Sequence, residues 1–224
     1  MAVFAKPPVA GAAKTRLAPA LGAEGAARLA AAFLADTVAL VRSRPWASLV
    51  LATTGPLDGS AAGSLDGVAR WDQGGGDLGA RLERVVARGL AEGAAAVMAL
   101  GADSPGLPAA YLDAARDALE RHEAVLGPTS DGGFYLLALG RCFPGLLASL
   151  PWSSRETLAA TRARLVERGL SVGEVSPYFD VDTPDDLARL ELLLASGEID
   201  APETRVSLAA GRGRAAGCRG SGSG

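Results

Sequence analysis

A loop near the start of the chain holds both of its lysines, Lys6 and Lys14, whereas every other basic residue is arginine. The loop follows an apolar run and is rich in small residues, so its backbone N–H groups can approach an anion. Lys14 and Arg16 can neutralise a diphosphate, and Thr15 can donate a further hydrogen bond. It is not a Walker loop, because Ala13 stands where that motif needs glycine. The alternative is a solvated basic loop without a ligand.

Two acidic motifs offer ligands for a metal ion. Asp103 follows an apolar run directly, and a carboxylate there would be an isolated buried charge unless it met a cation. Asp180 and Asp182 alternate along an extended segment, so only one is expected to enter a shared crevice, and Asp182 is the better candidate. Mg²⁺ or Mn²⁺ that bridges substrate phosphates suits such carboxylates. For Asp103, a helix N-cap or turn is the alternative.

A glycine-rich motif contains Asp131 followed by Gly132 and Gly133. Paired glycines leave room for a ligand ring against the backbone, and Asp131 could accept hydrogen bonds from hydroxyl groups. The Asp-Gly sequence is also typical of a plain β-hairpin, which is the alternative. Both interpretations stay open at this point.

Other motifs are less informative about chemistry. Gly74–Gly79 matches the G-x-G-x-x-G pattern, but the acid expected about 20 residues later is absent, which disfavours a dinucleotide site. His122 is the only histidine. It lies in a charged helix end, which disfavours a catalytic triad. Trp152 could stack on a base or sugar, with core packing as the alternative.

Alternating strands and helices are predicted to position these motifs. Short apolar runs predict strands, and longer amphipathic segments predict helices. The predicted strands are Met1–Ala5, Ser48–Thr53, Val68–Trp71, Ala95–Leu100, Ala124–Gly127, Phe134–Leu139 and Ser171–Val175. The predicted helices are Ala23–Arg44, Asp77–Ala91, Ala109–Arg121, Ser154–Arg168 and Pro184–Ala195. This alternation is typical of a mostly parallel sheet covered on both faces, with ligands at the carboxyl ends of the strands.

Length and composition predict one domain. The chain has 224 residues, of which 49% are hydrophobic, and a net charge of −3. The length and hydrophobic content suit a single core, and the slightly negative charge does not indicate binding to nucleic acid or anionic lipid. We expect a domain over residues 1–195 and a flexible Gly/Arg-rich tail over residues 196–224.

No apolar run approaches the roughly 20 residues of a membrane span. Cys142 and Cys218 lack metal-ligand spacing, and no signal peptide is recognisable. We therefore expect a reduced, cytoplasmic protein whose partners are small molecules.

Several motifs, taken in order, resemble one known family. They are Phe4-Ala-Lys-Pro-Pro leading to Lys14-Thr-Arg-Leu, Gln73 followed by Gly-Asp-Leu-Gly, Gly101-x-Asp-x-Pro, Gly127-Pro-x-x-Asp-Gly-Gly-Phe-Tyr, Pro151-Trp-Ser, and Asp180-Val-Asp-Thr-Pro-x-Asp-Leu. Over residues 1–195 the chain resembles the bacterial glycosyltransferase-A-like family of unknown function. That family includes arsenosugar-biosynthesis-type glycosyltransferases and is related to molybdenum-cofactor and phospholactate guanylyltransferases.

The resemblance implies a three-layer α/β/α nucleotide-diphospho-sugar transferase fold with a mostly parallel mixed sheet and a divalent metal, Mg²⁺ or Mn²⁺. It implies that Lys14 and Arg16 bind the nucleotide phosphates and that Asp103 and Asp182 lie at the metal. The further candidates for substrate contact are Lys6, Thr15, Gln73, Asp77, Gly132, Gly133 and Trp152.

The first functional hypothesis is glycosyl transfer from a nucleotide-diphospho-sugar to a small acceptor. In it, the metal and Lys14 stabilise the leaving diphosphate, and Asp131 orients or deprotonates the acceptor hydroxyl. Glycosyltransferases of this fold commonly carry Asp-x-Asp after the fourth strand, whereas this chain has Gly101 at the first of those positions. Nucleotidyl transfer with release of pyrophosphate is therefore the second hypothesis, and a non-catalytic nucleotide-binding module is the third.

Overall fold

Seven strands form one mixed sheet in the computed structural model, which describes residues 1–57 and 65–217. The strands are β1 (Ala2–Ala5), β2 (Val50–Thr53), β3 (Ala69–Asp72), β4 (Val97–Gly101), β5 (Ala124–Pro128), β6 (Phe134–Leu139) and β7 (Val172–Glu174). The helices are α1 (Ala18–Arg42), α2 (Leu78–Ala91), α3 (Ala109–Ala118), α4 (Thr157–Glu167), α5 (Pro184–Ser196) and α6 (Pro202–Gly217). Every predicted strand and helix is present, and α6 is additional.

The strand order places the ends of β1 and β4 beside each other. The order is β3-β2-β1-β4-β6-β5-β7, and β6 runs antiparallel to both of its neighbours. The other pairs are parallel, and Phe4 of β1 pairs with both Ala52 and Gly101. The chain leaves β1 towards β2 on one side and returns to β4 on the other. This reversal opens a crevice at the carboxyl ends of β1 and β4, where ligands bind in such sheets.

Helices cover both faces of the sheet. Side chains alternate along each strand, so Val3 packs in the core beneath α1 and α3, whereas Ala2 packs in the core beneath α2 and α4. A third apolar cluster joins α5 and α6 to Leu29 and Phe33 of α1. The predicted three-layer α/β/α architecture is confirmed.

The start of α5 fixes the end of the acidic segment that precedes it. Thr183 caps the helix and accepts from the backbone N–H of Asp186, and Pro184 follows as predicted. Asp186 completes a capping box, because its Oδ2 accepts from the backbone N–H of Thr183 at 2.8 Å and of Asp182 at 3.2 Å. The capping box therefore fixes the backbone of Asp182 at the N-terminus of α5.

The segment after Ser196 differs from the expected flexible tail. Residues 202–217 form α6, which packs against α1. Asp36 of α1 accepts a hydrogen bond from Thr204 Oγ1 at 2.6 Å and from the backbone N–H groups of Glu203 and Thr204 at 3.0 and 2.9 Å. The first N–H groups of a helix have no partner inside it, so Asp36 caps α6 from another helix. Composition does not reveal a cap that comes from 167 residues earlier in the chain.

The described residues bear on two expectations from the sequence, which concern membrane spans and the cysteines. No helix within residues 1–57 and 65–217 is long and apolar enough to cross a membrane. Cys142 is a half-buried free thiol, and burial raises its pKa to about 11. Cys218 lies outside the described residues.

Candidate functional site

Lys14 lies at the centre of a charged cluster at the carboxyl edge of the sheet. Its Nζ is 2.7 Å from Asp103 Oδ1 and 2.7 Å from Asp182 Oδ1. It also donates a hydrogen bond to the carbonyl oxygen of Val181 at 2.8 Å. The Lys14 side chain is 6% exposed, against 55% for Asp103 and 47% for Asp182. The ammonium group is thus enclosed, while both carboxylates remain accessible to a ligand.

The backbone of the loop turns sharply at Lys14. Its φ of 45° lies in the left-handed region, which is uncommon for a residue with a side chain. The neighbours Ala13 and Leu17 are buried and anchor the loop on either side. The Lys14 Nζ also lies 5.5 Å from the ring centroid of Phe33 in α1, within the range of a cation–π contact. Backbone and surroundings together aim Lys14 inwards.

The two acidic segments are tied to each other as well as to Lys14. Asp103 follows β4, and its carbonyl oxygen accepts from the backbone N–H of Val181 at 2.9 Å. Asp182, which follows Val181, is held at the start of α5, because its backbone N–H donates to Asp186 of the capping box. The N-cap of α3 is Pro108, so the alternative role of Asp103 as a helix N-cap does not apply. Residues from three distant parts of the chain therefore meet at one point.

Asp180 also belongs to this cluster, although the alternation argument left it out. Its contacts do differ from those of Asp182, because its Oδ1 accepts from Ser104 Oγ rather than from Lys14. The pKa of Asp180 is raised to about 6, chiefly by burial and also by the charges of Asp103 and Asp182, against the lowering effects of the Ser104 hydrogen bond and of Lys14. The Asp-x-Asp spacing of positions 180 and 182 was the signal that could have identified both carboxylates.

The charges of the cluster do not balance. Burial lowers the pKa of Lys14, but the carboxylates of Asp103 and Asp182 more than offset this, and the pKa is raised overall. Lys14 is therefore an ammonium group at neutral pH. Three carboxylates face this one cation once Asp180 is ionised, so the cluster has an excess of negative charge.

The remaining polar residues of the loop point to solvent. Lys6, Thr15 and Arg16 are exposed. Their side chains make no hydrogen bond or ion pair with any residue in the described ranges. The sequence grouped Lys14 with Arg16 as phosphate contacts, whereas the structure separates them. Arg16 is available to an anion, and Lys14 is engaged by carboxylates.

Gln73 and Asp77 have structural roles. Gln73 is 4% exposed, and its Nε2 donates to the carbonyl oxygens of Ala52 at 2.8 Å and Ala5 at 3.3 Å. It thereby joins the ends of β1 and β2. Asp77 is the N-cap of α2 and accepts from the N–H of Ala80. Their contact with a substrate stays a prediction.

The Asp131 motif forms the turn between β5 and β6, as the hairpin interpretation expects. Asp131 is exposed, and its Oδ1 accepts from Thr129 Oγ1 at 2.6 Å and from the N–H of Gly133 at 3.0 Å. Gly132 has a φ of 91°, and a Cβ at this position would collide with the carbonyl oxygen of Arg155. The expectation that Gly132 leaves room for a ligand ring is therefore wrong, because the backbone of Arg155 fills that room.

The side chain of Trp152 packs against other residues of the protein. Its ring meets Phe134 edge-on with centroids 6.3 Å apart, and it lies against Gly79 of α2. Its Nε1 is buried without a hydrogen-bond partner among the described residues, and the same holds for Nε of Arg81, also in α2. An arginine in an amphipathic helix is normally exposed, so the sequence gives no signal for this unpaired donor. Both groups could donate to a ligand near the first turns of α2.

A cavity of about 410 Å³ lies next to the cluster without including its charged residues. It is bounded by α1, the start of α3 and the connection between α5 and α6, with Ser104, Leu107 and Ile199 among its lining residues. Ser104 is its link to the cluster. Asp103 and Asp182 are about half exposed, so an anionic ligand that brings its own counter-ion can reach them.

The donor set of the cluster fits a hard divalent cation. Asp103 and Asp182 each place one carboxylate oxygen 2.7 Å from a common point, the Lys14 Nζ. Mg²⁺ is usually held by one or two protein carboxylates together with phosphate oxygens and water. Within the described ranges, no group of three or more His, Cys, Asp or Glu side chains is arranged to hold a metal. A cation here would therefore take its remaining ligands from the substrate and from water.

Residues 37–154, just over half of the chain, match the model of a family described as uncharacterized proteins conserved in bacteria, DUF2064. The chain belongs to this family. The matched region of the DUF2064 family includes Asp103 and Asp131, whereas Lys14 and Asp182 lie outside it. No curated protein matches the sequence significantly.

Solved structures show the same fold as this DUF2064 chain. A candidate nucleotide-diphospho-sugar transferase from Desulfovibrio desulfuricans G20 is 27% identical over 84% of both chains, with a TM-score of 0.75. A CMP:2-keto-3-deoxy-manno-octonic acid synthetase complexed with CTP is 14% identical over 88% of this chain and 98% of that one, with a TM-score of 0.55. A 4-diphosphocytidyl-2C-methyl-D-erythritol synthase is 16% identical over 86% and 96% of the two chains, with a TM-score of 0.52.

These neighbours are transferases and nucleotidyltransferases, and they confirm the predicted fold. At 14% and 16% identity, the latter two show a shared fold alone. The specific kinship to arsenosugar and molybdenum-cofactor enzymes stays a prediction.

Proposed function

We propose that this protein is a metal-dependent transferase that uses a nucleotide-diphospho-sugar and passes the sugar to a small acceptor. The observation that carries the proposal is the meeting of Lys14 with Asp103 and Asp182 at the crevice between β1 and β4. Carboxylates and an ammonium group at this edge suit a diphosphate with its metal ion. The similarity to a candidate nucleotide-diphospho-sugar transferase over 84% of both chains supports the choice of donor.

The donor phosphates would lie along the loop after β1. Lys6, Thr15 and Arg16 are exposed there without partners in the described part of the chain, so they can bind phosphate oxygens without breaking existing contacts. Asp103 and Asp182 would hold the metal, which supplies positive charge to the leaving diphosphate. Lys14 adds a second positive charge beside it, which favours departure of the nucleoside diphosphate.

Asp131 is the candidate base for the acceptor hydroxyl. Its Oδ1 is held by Thr129 and Gly133, which fixes the direction of the carboxylate. Its Oδ2 has no hydrogen-bond partner among the described residues, and the residue is exposed. A fixed carboxylate with one free oxygen can orient a hydroxyl and accept its proton.

Product analysis tests the proposal. The protein is incubated with common nucleotide-diphospho-sugars and Mg²⁺ or Mn²⁺, and release of nucleoside diphosphate is measured by chromatography. Asp103→Asn and Asp182→Asn should each lower the rate about 100-fold or more, since each removes charge from the site that stabilises the transition state. Asp185→Asn is the matched control, because Asp185 is exposed in the first turn of α5 and should keep the wild-type rate. Wild-type rates in both site variants would contradict the proposal.

Nucleotidyl transfer is a second candidate. The turn after β4 carries Gly101 and a single Asp103 rather than the Asp-x-Asp that is common in glycosyltransferases of this fold. Incubation with nucleoside triphosphates and Mg²⁺ or Mn²⁺ decides between the two, since release of pyrophosphate supports nucleotidyl transfer. Metal-dependent binding without either product would indicate a non-catalytic nucleotide-binding module.

A further inference from the structure

Lys14 occupies the position that a divalent cation would take between Asp103 and Asp182. Its Nζ is 2.7 Å from an oxygen of each carboxylate. We propose that Lys14 is a tethered counter-ion, which fills the cation position in the ligand-free protein and leaves it only when metal and phosphate bind together. The proposal deepens the proposed function, since it rests on Asp103 and Asp182 as metal ligands and on a phosphate-bearing donor.

A metal ion and the Lys14 ammonium cannot share this position. Hard divalent cations bind carboxylate oxygens directly, at distances shorter than those of the present ion pairs. Like charges in such close contact repel strongly in a partly buried site, where solvent screening is weak. Binding of the metal to both carboxylates therefore requires the ammonium group to move away.

Lys14 is costly to displace on its own. Its side chain is 6% exposed, and its Nζ lies 2.7 Å from an oxygen of both Asp103 and Asp182. An ammonium that lost these partners inside the protein would need another anion. A metal ion alone provides none, so it should bind the ligand-free protein weakly.

A donor phosphate provides the missing partner. Lysine has four flexible side-chain bonds, so its head group can turn to a new anion while the backbone stays in place. Arg16 and Thr15 of the same loop are exposed and next to Lys14, which places phosphate oxygens within reach of the loop. Metal and phosphate should therefore promote each other's binding, and the coupling must be reciprocal.

Calorimetric titration of the nucleotide-free protein with Mn²⁺ tests this idea. Lys14→Met should bind Mn²⁺ at least about ten-fold more tightly than the wild type. A change of this size is ordinary for the coupling between two bound groups. Lys14→Arg keeps the tethered charge and should bind as weakly as the wild type. Arg70→Met removes an exposed positive charge from the edge strand β3, outside the candidate site, and should leave the affinity unchanged.

The outcomes separate this proposal from the proposed function. Equal Mn²⁺ affinity of wild type and Lys14→Met, no Mn²⁺ binding by Lys14→Met, or equal gains in Lys14→Met and Lys14→Arg would each overturn it. Lys14→Gln, with a polar side chain, replaces Lys14→Met if that variant fails to fold by circular dichroism. Because no nucleotide is present, the result stands whether or not the protein transfers a sugar.

Discussion

Lys14 shows how the role of a residue depends on what surrounds it. A lysine in a loop of small residues is typical of a phosphate contact, yet here its nearest partners are two carboxylates and the carbonyl of Val181. Arg16, two residues later, is exposed and has no such partners among the described residues. Two residues of one motif therefore differ in their surroundings, since Lys14 is engaged by carboxylates and Arg16 is exposed.

Arg16→Ala should weaken binding of nucleoside diphosphates about ten-fold in the presence of Mg²⁺, because a charge-assisted hydrogen bond to phosphate is lost. Isothermal calorimetry with UDP, GDP, CDP and ADP measures the effect. Arg70→Ala in β3 is the control, since Arg70 is exposed and lies on an edge strand away from the loop. An unchanged affinity in Arg16→Ala would remove this residue from the site.

Cys142 should react slowly at neutral pH. Burial raises its pKa to about 11, so the reactive thiolate is scarce at pH 8. The rate with a chromogenic aromatic disulfide should rise about ten-fold per pH unit between pH 8 and pH 10. The measurement uses a Cys218→Ser variant, with the unfolded chain in guanidinium as the fast reference. A pH-independent rate above pH 8 would show a thiol with a far lower pKa.

At the scale of elements, close approach between helices and loops decides where glycine is needed. Gly79 of α2 lies against the carbonyl oxygen of Leu147 and the ring of Trp152. Glu83 of the same helix accepts from the N–H groups of Gly145 and Leu147 at 3.0 and 2.5 Å. The loop before α4 is therefore held tightly on α2, and this contact positions Trp152.

Gly79→Ala should destabilise the protein by about 1–3 kcal/mol, since the added methyl group overpacks this contact. Gly211→Ala is the matched comparison, because Gly211 lies within α6 and nothing lies within 4 Å of an added Cβ. It should be neutral or stabilise by up to about 1 kcal/mol through helix propensity. Urea unfolding gives both values, and equal effects at the two positions would contradict the packing argument.

Thr204→Val should test the packing of α6 on α1. It removes the hydroxyl that donates to the buried Asp36 and leaves the carboxylate one donor short. We expect a loss of about 1–3 kcal/mol in the free energy of unfolding. Val206→Thr makes the reverse change at a position that is 66% exposed, and it should stay within about 0.5 kcal/mol. A neutral Thr204→Val would mean that α6 adds little to stability.

At the scale of the whole molecule, one sheet carries all the elements that build the site. The acidic segments follow β4 and β7, the basic loop follows β1, and the two helical layers hold these strands in place. Binding at the site should therefore stabilise the whole domain rather than one part. Ligand-free protein should unfold in a single transition.

A bound nucleotide with Mg²⁺ should raise the unfolding temperature. At a ligand concentration of about 100 times Kd, the gain is about 2.7 kcal/mol. For a domain of this size it corresponds to a shift of about 5–10 °C. Differential scanning calorimetry measures the shift, and Asp103→Asn with Asp182→Asn should abolish the part that depends on Mg²⁺. A shift that is the same in this double variant and in the wild type would place the ligand elsewhere.

Local patterns were enough to predict most of the elements and the α/β class. Short apolar runs marked β1 to β7, and the predicted start of α5 at Pro184 was correct, because such signals depend on neighbours along the chain. α6 escaped prediction because its stability comes from Asp36 and from packing on α1, not from its own composition. The room expected at Gly132 was lost to Arg155, again a contact between distant residues.

The sequence by itself determined which residues could bind phosphate or metal, since side-chain chemistry and position at strand ends are both readable along the chain. Only the tertiary structure decided how they pair. The strand order brings Lys14 to Asp103 and Asp182, and Asp180 to Ser104, across gaps of many residues. In that arrangement the ammonium group of Lys14 stands where a metal ion was expected, because burial in a crevice with excess negative charge makes a cation at that point necessary.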